Sequence, residues 1–298
     1  MKTLVIGRSG QLAQALIEAG GDSVIAAGRP VVDLTDADAL DAFVSHHAPD
    51  LVVNAAAYTA VDKAESEPDA AYAVNATGAL RLAQICNRHA LPLIHISTDY
   101  VFDGMAQRPY REDDPVAPLG VYGCSKLEGE QMVAATCSRH IILRTAWVYS
   151  PWGNNFVKTM LRLATTRTEI GVVDDQIGNP TYAPHLAAAI LAIGQSVTTA
   201  ASPIPASVAW GVYHAAGAGD TTWCSFAREI FRLAQVHGLP AATVKPIATV
   251  DYPTPARRPT NSRLDLAKLT ATFGIGLPVW QTGATICVAR LAAASCMR

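Results

Sequence analysis

Tyr122 and Lys126 stand four residues apart in VYGCSK. Four residues is about one helical turn, so on a helix the phenol and the ammonium share a face. Such a pair is suited to finishing a carbonyl reduction. Hydride addition leaves an alkoxide that must take a proton. A free phenol, with a pKa of about 10, donates sluggishly near neutrality. A neighbouring ammonium is expected to lower that pKa. The same lysine can hydrogen-bond a ribose of the hydride carrier. Thr98, in HISTDYVFDG, offers a hydroxyl to hold the substrate oxygen. The plainer reading is a surface Tyr/Lys pair and a strand-end threonine, and YxxxK alone does not decide between them.

A second stretch favours the chemical reading. Gly7-Arg8-Ser9-Gly10-Gln11-Leu12-Ala13 follows an apolar run and opens a helical pattern. Gly7 allows a tight turn, Gly10 lets a pyrophosphate approach the backbone, and small Ala13 allows close helix–strand packing. The helix N-terminus offers free N–H groups and partial positive charge to phosphates. The pattern alone is weak; its place between a strand and a helix gives it weight. An NAD-specific site usually carries an acid after the second strand. Ala26-Ala27-Gly28-Arg29-Pro30 stands there instead, and Arg29 suits a 2′-phosphate, which favours NADPH over NADH.

These residues need a frame. TLVIG, SVIAAG, DLVVNAAA, LPLIHIS and HIILRTAWVY read as five strands. Helical patterns lie between them: QLAQALIEAG, TDADALDAFVSHHA with Thr35 as its N-cap and Asp38 three residues on, and a helix from Pro68 through DAAYAVNATGALRLAQICNRHA. Continuous apolar strands alternating with helices predict an α/β fold, a doubly wound parallel sheet of Rossmann-like type with ligands at the carboxyl ends of its strands. Gly7, Asn54, Ser97 and Arg144 fall near such ends. Arg144 is expected in a structural ion pair, and Asn54 and Asn75 as partners for buried backbone groups. Beyond about residue 150 Pro and Gly become frequent, in SPWGNN, GNPTYAP, SPIPAS and YPTPARRP. That half reads as a smaller, discontinuous lid. The expected division is 1–149, plus a segment near 183–197, for the dinucleotide, and 150–182 with 198–298 for the substrate. Asp174 and Asp175 read as a turn, Tyr182 as lid packing, and 198–207 as a Pro/Ser/Ala-rich loop.

Composition narrows the classes. Of 298 residues, 50% are hydrophobic and 16% charged, with net charge −2, so no bulk basic character argues for nucleic acid or an anionic membrane. LAAAILAIG falls short of the roughly 20 apolar residues of a membrane span, and the N-terminal apolar run is too short for a signal peptide. The six cysteines form no CxxC pair and no zinc-like cluster, as expected of reduced thiols in a cytoplasmic protein. Cys124, inside YGCSK, is oxidant-sensitive only if positive surroundings favour its thiolate.

GRSGQL, NAAAYTAVDKAESEP, AVNATG, STDYVFDG, VYGCSK, LRTAWVY, GNNFVKTML, DDQIGNPT, TTWCSFA and YPTPARRPTNSRLD, in this order, resemble the extended short-chain dehydrogenase/reductase family over nearly the whole chain. NAAAYTAVDKAE and YPTPARRP resemble its reductases of dTDP-activated 4-keto sugars more than its epimerases and dehydratases. The resemblance implies NADPH-dependent reduction (NADH being the alternative) of dTDP-4-dehydro-6-deoxy-L-mannose to dTDP-L-rhamnose. It implies Thr98, Tyr122 and Lys126 as the catalytic triad. Gly10, Gln11 and Leu12 would meet the cofactor pyrophosphate, Asp33 and Leu34 would flank the adenine, and Ala57, Tyr58 and Thr59 would line the nicotinamide side. Asp99 and Tyr100 would place the sugar, and Trp147 would pack on it. Asn154 or Asn155, with Arg257, would bear on the nucleotide-sugar, arginines in a proline-stiffened loop being suited to a diphosphate. Some members dimerise through a metal held by carboxylates. No Asp or Glu follows Asp265, so a monomer or a metal-free homodimer is expected. Two other readings stand beside this one: an epimerase or dehydratase that retains NAD, and a non-catalytic nucleotide-binding regulatory subunit.

Overall fold

Short apolar runs become strands here because both faces of each are covered. The computed structural model describes residues 1–199 and 210–296 (of Cys296, the backbone alone). It begins β1 (Thr3–Ile6), α1 (Gln11–Gly20), β2 (Val24–Ala27), α2 (Ala37–His47) and β3 (Leu51–Asn54). The short helices α3 (Val61–Ala64) and α4 (Pro68–Tyr72) follow. A π-helical turn at Ala73–Gly78 then leads into α5 (Ala79–Arg88), β4 (Leu93–Thr98), α6 (Val121–Thr136) and β5 (His140–Thr145). Leu4, Val5, Val52 and Val53 are fully buried. Successive strand residues face opposite sides, so one apolar cluster holds Val5 and Val53 and another holds Leu4 and Val52. Full burial of each such side chain stabilises by about 1.5–3 kcal/mol.

The second half begins with β6 (Val148–Tyr149), α7 (Phe156–Ala164), β7 (Glu169–Val173), β8 (Ile177–Gly178), β9 (Thr181–Tyr182) and α8 (Ala183–Thr198). Then come β10 (Gly211–His214), β11 (Thr221–Thr222), α9 (Trp223–Val236), β12 (Thr243–Ile247), α10 (Ala267–Phe273) and α11 (Trp280–Cys296). The central sheet runs β10-β5-β4-β3-β1-β2, and every pairing is parallel. Strand order reverses between β1 and β3. Connections leave those neighbours toward opposite faces, which opens a crevice at their carboxyl ends.

The fold class is the doubly wound α/β sheet expected, with differences of detail. β10 adds a sixth strand from sequence assigned to the lid. Its run Gly-Val-Tyr-His is too short and too polar to stand out, and pairing with β5 makes it a strand. Asp36, not Thr35, caps α2, its carboxylate accepting from Ala39 N at 3.0 Å. Thr35 instead donates its N–H and hydroxyl to Asp33 Oδ1, at 2.9 and 2.8 Å. The expected fifth strand stops at Thr145 and resumes as β6, because Trp147 takes a left-handed φ of 45°. Helix α8 holds LAAAILAIG and packs on α1, in the cluster beneath β1. A third core, with Tyr149, Val157, Phe226, Ile230, Trp280 and Val288, joins α7, α9 and α11 into the smaller part. Among the described residues no helix is long and apolar enough to cross a membrane. Residues 200–207 of the Pro/Ser/Ala-rich loop lie outside the described residues.

Candidate active site

The crevice is a real cavity. About 870 Å3 lies along the carboxyl ends of β1, β3, β4 and β5, near the upper end of the roughly 300–1,000 Å3 usual for ligand sites. Gly7 forms its first corner at φ 121°, and a Cβ there would sit 3.2 Å from the Ala55 backbone. Only glycine combines that turn with that approach. Gly10 caps α1 with no side-chain hydrogen bond, leaving the first-turn N–H groups to a ligand. A Cβ on Gly10 would meet nothing within 4 Å, so this face of the turn is open. An uncapped helix start behind a bare backbone, in a cavity of this size, fits a pyrophosphate. Arg29 and Asp33 line the far end. Hydrogen bonds from Thr35 hold the Asp33 carboxyl below its usual range, with Arg29 and Arg81 adding to them.

On the other wall, α6 carries Tyr122 and Lys126. It comes close because Gly129 has no side chain: a Cβ there would lie 2.1 Å from the Asn75 carbonyl oxygen. Asn75 fastens the neighbourhood. Its Oδ1 accepts from Tyr58 N at 2.8 Å, and its Nδ2 donates to Tyr58 O at 3.1 Å and Ser125 Oγ at 3.0 Å. Below, Arg144 grips Glu130 from β5 in a buried pair at 2.7 Å. Thr98, Asp99, Tyr100, Tyr122 and Lys126 therefore share one cavity wall.

The electrostatics differ from expectation. Part of the Tyr122 ring faces the cavity, yet desolvation pushes its phenol up to about 12, and hydrogen bonding with Thr98 offsets this only in part. Lys126 does not lower it in this arrangement. Its own burial brings the ammonium down to about 8, against the pull of Glu130. Nζ donates to Ile96 O at 2.6 Å and lies 3.4 Å from His95 Nε2. Burial also pushes the Asp99 carboxyl up to about 7, against hydrogen bonding from Ser262 and Thr98. Cys124 lies near Glu65, and burial with that charge raises its thiol, which disfavours a reactive thiolate.

The rim comes from the smaller part. Trp147 stacks on Trp223 with centroids 3.5 Å apart and planes 8° apart. Its left-handed backbone is strained for a bulky residue, and such strain clusters at ligand sites. Asn154 lines the same rim.

The model of the RmlD substrate binding domain matches residues 1–293. A dTDP-4-dehydrorhamnose reductase of Sinorhizobium fredii is 46% identical over 283 residues, covering 94% of this chain and 94% of that protein. The chain belongs to the dTDP-4-dehydrorhamnose reductase family. A solved dTDP-4-dehydrorhamnose reductase from Clostridium acetobutylicum has a TM-score of 0.89 at 37% identity, covering 98% of this chain and 99% of that one. A second, from Bacillus anthracis and solved in complex with NADP, has a TM-score of 0.88 at 34% identity, covering 97% and 100%.

Against this reductase family's expected site, the cavity gathers Gly7, Gly10, Gln11, Leu12, Arg29, Asp33, Leu34, Ala57 and Thr59 with the triad and with Asp99, Tyr100, Trp147 and Asn154. Three expected residues stand apart. Tyr58 is not on the cavity wall; its hydroxyl donates to Glu67 Oε2 at 2.8 Å. Asn155 spends its amide on structure, capping α7 through Lys158 N at 3.1 Å and donating to Gln11 Oε1 and Ser150 O. Arg257 is exposed and has no hydrogen-bond partner among the described residues, whereas Arg258 pairs with Asp62 at 2.8 Å. The Asp62 carboxylate holds Arg258 and not Arg257, and sequence alone does not show that partner. Arg8, Ser9, Ser97 and Thr145 also line the cavity. The first two lie inside the glycine turn, where their position was signal enough. His95 had no signal beyond its place in a strand.

Proposed function

We propose that this chain reduces the C4 keto group of dTDP-4-dehydro-6-deoxy-L-mannose, giving dTDP-L-rhamnose, with NADPH as hydride source. The observation that carries this is the meeting of Tyr122, Lys126 and Thr98 on one wall of a cavity whose other end is the bare turn at Gly10. Relatives named for this reduction, one of them solved with NADP, support it.

The residues then divide the work. N–H groups at the start of α1, around Gly10, Gln11 and Leu12, bind the pyrophosphate. Arg29 takes a 2′-phosphate, the feature that favours NADPH over NADH. Bound there, reduced nicotinamide supplies hydride. Tyr122 holds its proton at any neutral pH and gives it to the C4 oxygen as charge develops. That oxygen becomes a far stronger base than a phenolate, so even a raised phenol donates downhill. Lys126, fixed by Ile96 O, offers its remaining N–H groups to the cofactor ribose. Thr98 orients the C4 oxygen, and Asp99, Tyr100, Trp147 and Asn154 place the sugar. Tyr58 and Asn155 support the walls. Arg257, the arginine expected at the nucleotide-sugar, is exposed, and Arg258 beside it, paired with Asp62, is the alternative for the diphosphate. The sheet unit, extended by α8 and β10, holds cofactor, and the part around α7, α9 and α11 holds substrate. A cytoplasmic monomer or metal-free homodimer is the matching assembly, in keeping with the absence of acid residues after Asp265.

The test is stoichiometric. Each sugar nucleotide reduced should consume one NADPH, read from its near-ultraviolet absorbance. Turnover without net loss of NADPH would instead mark hydride recycling, as in an epimerase or dehydratase.

A further inference from the structure

Beneath the cavity wall lies a buried polar pair, Asn54 and His95, that the proposed reduction does not use, and it leads to Lys126. Asn54 ends β3, and His95 is its register partner on β4. Both are 1% exposed, as is Lys126. Asn54 Nδ2 lies 3.0 Å from His95 Nδ1, and His95 Nε2 lies 3.4 Å from Lys126 Nζ. The Ala56 N–H donates to Asn54 Oδ1 at 3.3 Å, which fixes the amide with its NH2 toward the imidazole. An NH2 only donates, so Nδ1 must accept, and the proton of a neutral imidazole must sit on Nε2. That N–H points at Nζ.

An N–H and an ammonium are both donors and cannot satisfy one another. A neutral amine has a lone pair and can accept. Two donors facing each other also account for a separation longer than an ordinary hydrogen bond. We propose that His95 is a positioning residue for Lys126: Asn54 turns its Nε2–H toward Nζ, so the imidazole gives the ammonium no acceptor and favours the amine, and this imidazole sets the alkaline edge of the reaction. The inference rests on the reduction proposed above.

The surrounding charges are consistent with that role. Burial and the Lys126 charge keep His95 neutral, its proton affinity well below the ordinary histidine value, and His140 on β5 acts in the same sense. Glu130, one turn beyond Lys126, favours the ammonium, but Arg144 holds its carboxylate from the other side. Tyr122, Asp99 and Tyr100 are the titratable groups sharing that cavity wall with Nζ. The balance lets Lys126 lose its proton in the mildly alkaline range.

Two measurements test this. Long-range 15N–1H correlation of labelled histidines in the cofactor-free protein reads the tautomer directly, with His95→Gln assigning the resonance. His95 should be neutral and protonated at Nε2 from about pH 6 to 9, the span that brackets histidine titration. A proton on Nδ1, or a cationic ring, overturns the inference without any assay of turnover. The second is the pH profile of kcat/KM for two variants. His95→Asn keeps an acceptor for Asn54 but is too short to present an N–H to Lys126, so its alkaline limb should move up by about one pH unit, a tenfold change. His95→Gln restores an amide N–H at the right reach and should bring the limb back toward wild type. Limbs that coincide in all three proteins overturn the inference, and wild-type NMR decides alone if a variant fails to fold. Undiminished turnover in Tyr122→Phe would defeat the reduction reading and leave the tautomer result standing. An Nδ1–H in an active reductase would defeat this inference and leave the reduction standing.

Discussion

Gln11 and Asn155, 144 residues apart, share a hydrogen bond of 2.9 Å from Asn155 Nδ2 to Gln11 Oε1. Ser150 Oγ donates to the same oxygen at 2.8 Å, and Gln11 Nε2 donates to Val148 O at 3.2 Å. The first residue of α1 is thus tied to the segment that begins the smaller part. Asn155 also caps α7, so two roles meet in one amide and can be separated by substitution.

Asn155→Ala should lose both. Removing such a cap costs about 1 kcal/mol, and loosening the Gly10 turn should weaken NADPH binding several-fold. Asn155→Ser keeps a capping oxygen but cannot span to Gln11. It should recover most of the stability in thermal melts while its NADPH Kd, by calorimetry, stays raised. Equal recovery of both quantities would mean that the bridge to Gln11 does not matter for binding.

The two glycines of the turn should fail in different ways. Gly7→Ala forces a Cβ against the Ala55 backbone at φ 121°, so stability should fall by at least about 1 kcal/mol. Gly10→Asp has open space for its side chain and should melt near wild type. Its carboxylate faces the proposed pyrophosphate, so NADPH affinity should fall by an order of magnitude or more. Wild-type affinity in Gly10→Asp would move the phosphate site elsewhere.

Asp99 should leave a mark on stability. Its carboxyl titrates at about 7 in the folded chain, against a reference of 3.8. The native state therefore binds the proton more tightly than the unfolded chain. Stability from this group is present below the lower value and is lost as pH rises through the upper one. Asp99→Asn removes the titration, so its Tm should fall less than that of wild type between about pH 4 and 7. Parallel curves for the two proteins would show that Asp99 ionises normally.

Much of this was legible in the residues. The glycine turn, the five leading strands and the one-turn spacing of Tyr122 and Lys126 are local patterns, and local sequence specifies them. What could not be read depends on partners distant in the chain. Gly211–His214 is a strand because β5 offers an edge. Asn155 reads like Asn154 until Gln11 is found beside it. That Arg258 is held while Arg257 stays exposed rests on Asp62, 196 residues away. The expected lowering of the Tyr122 phenol by Lys126 failed for a related reason: spacing along a helix says nothing of how deeply both groups are buried, and here desolvation is the leading cause of the shift in each.

The central claim is that the Tyr122 hydroxyl delivers the proton to the C4 oxygen. Tyr122→Phe removes that one oxygen and leaves the ring. Its turnover with the 4-keto sugar nucleotide and NADPH, measured beside its NADPH Kd, tests the claim most directly. The account predicts a loss of roughly 100-fold or more in kcat, the usual scale for a lost general acid, with Kd nearly unchanged. Turnover within a few-fold of wild type would contradict it.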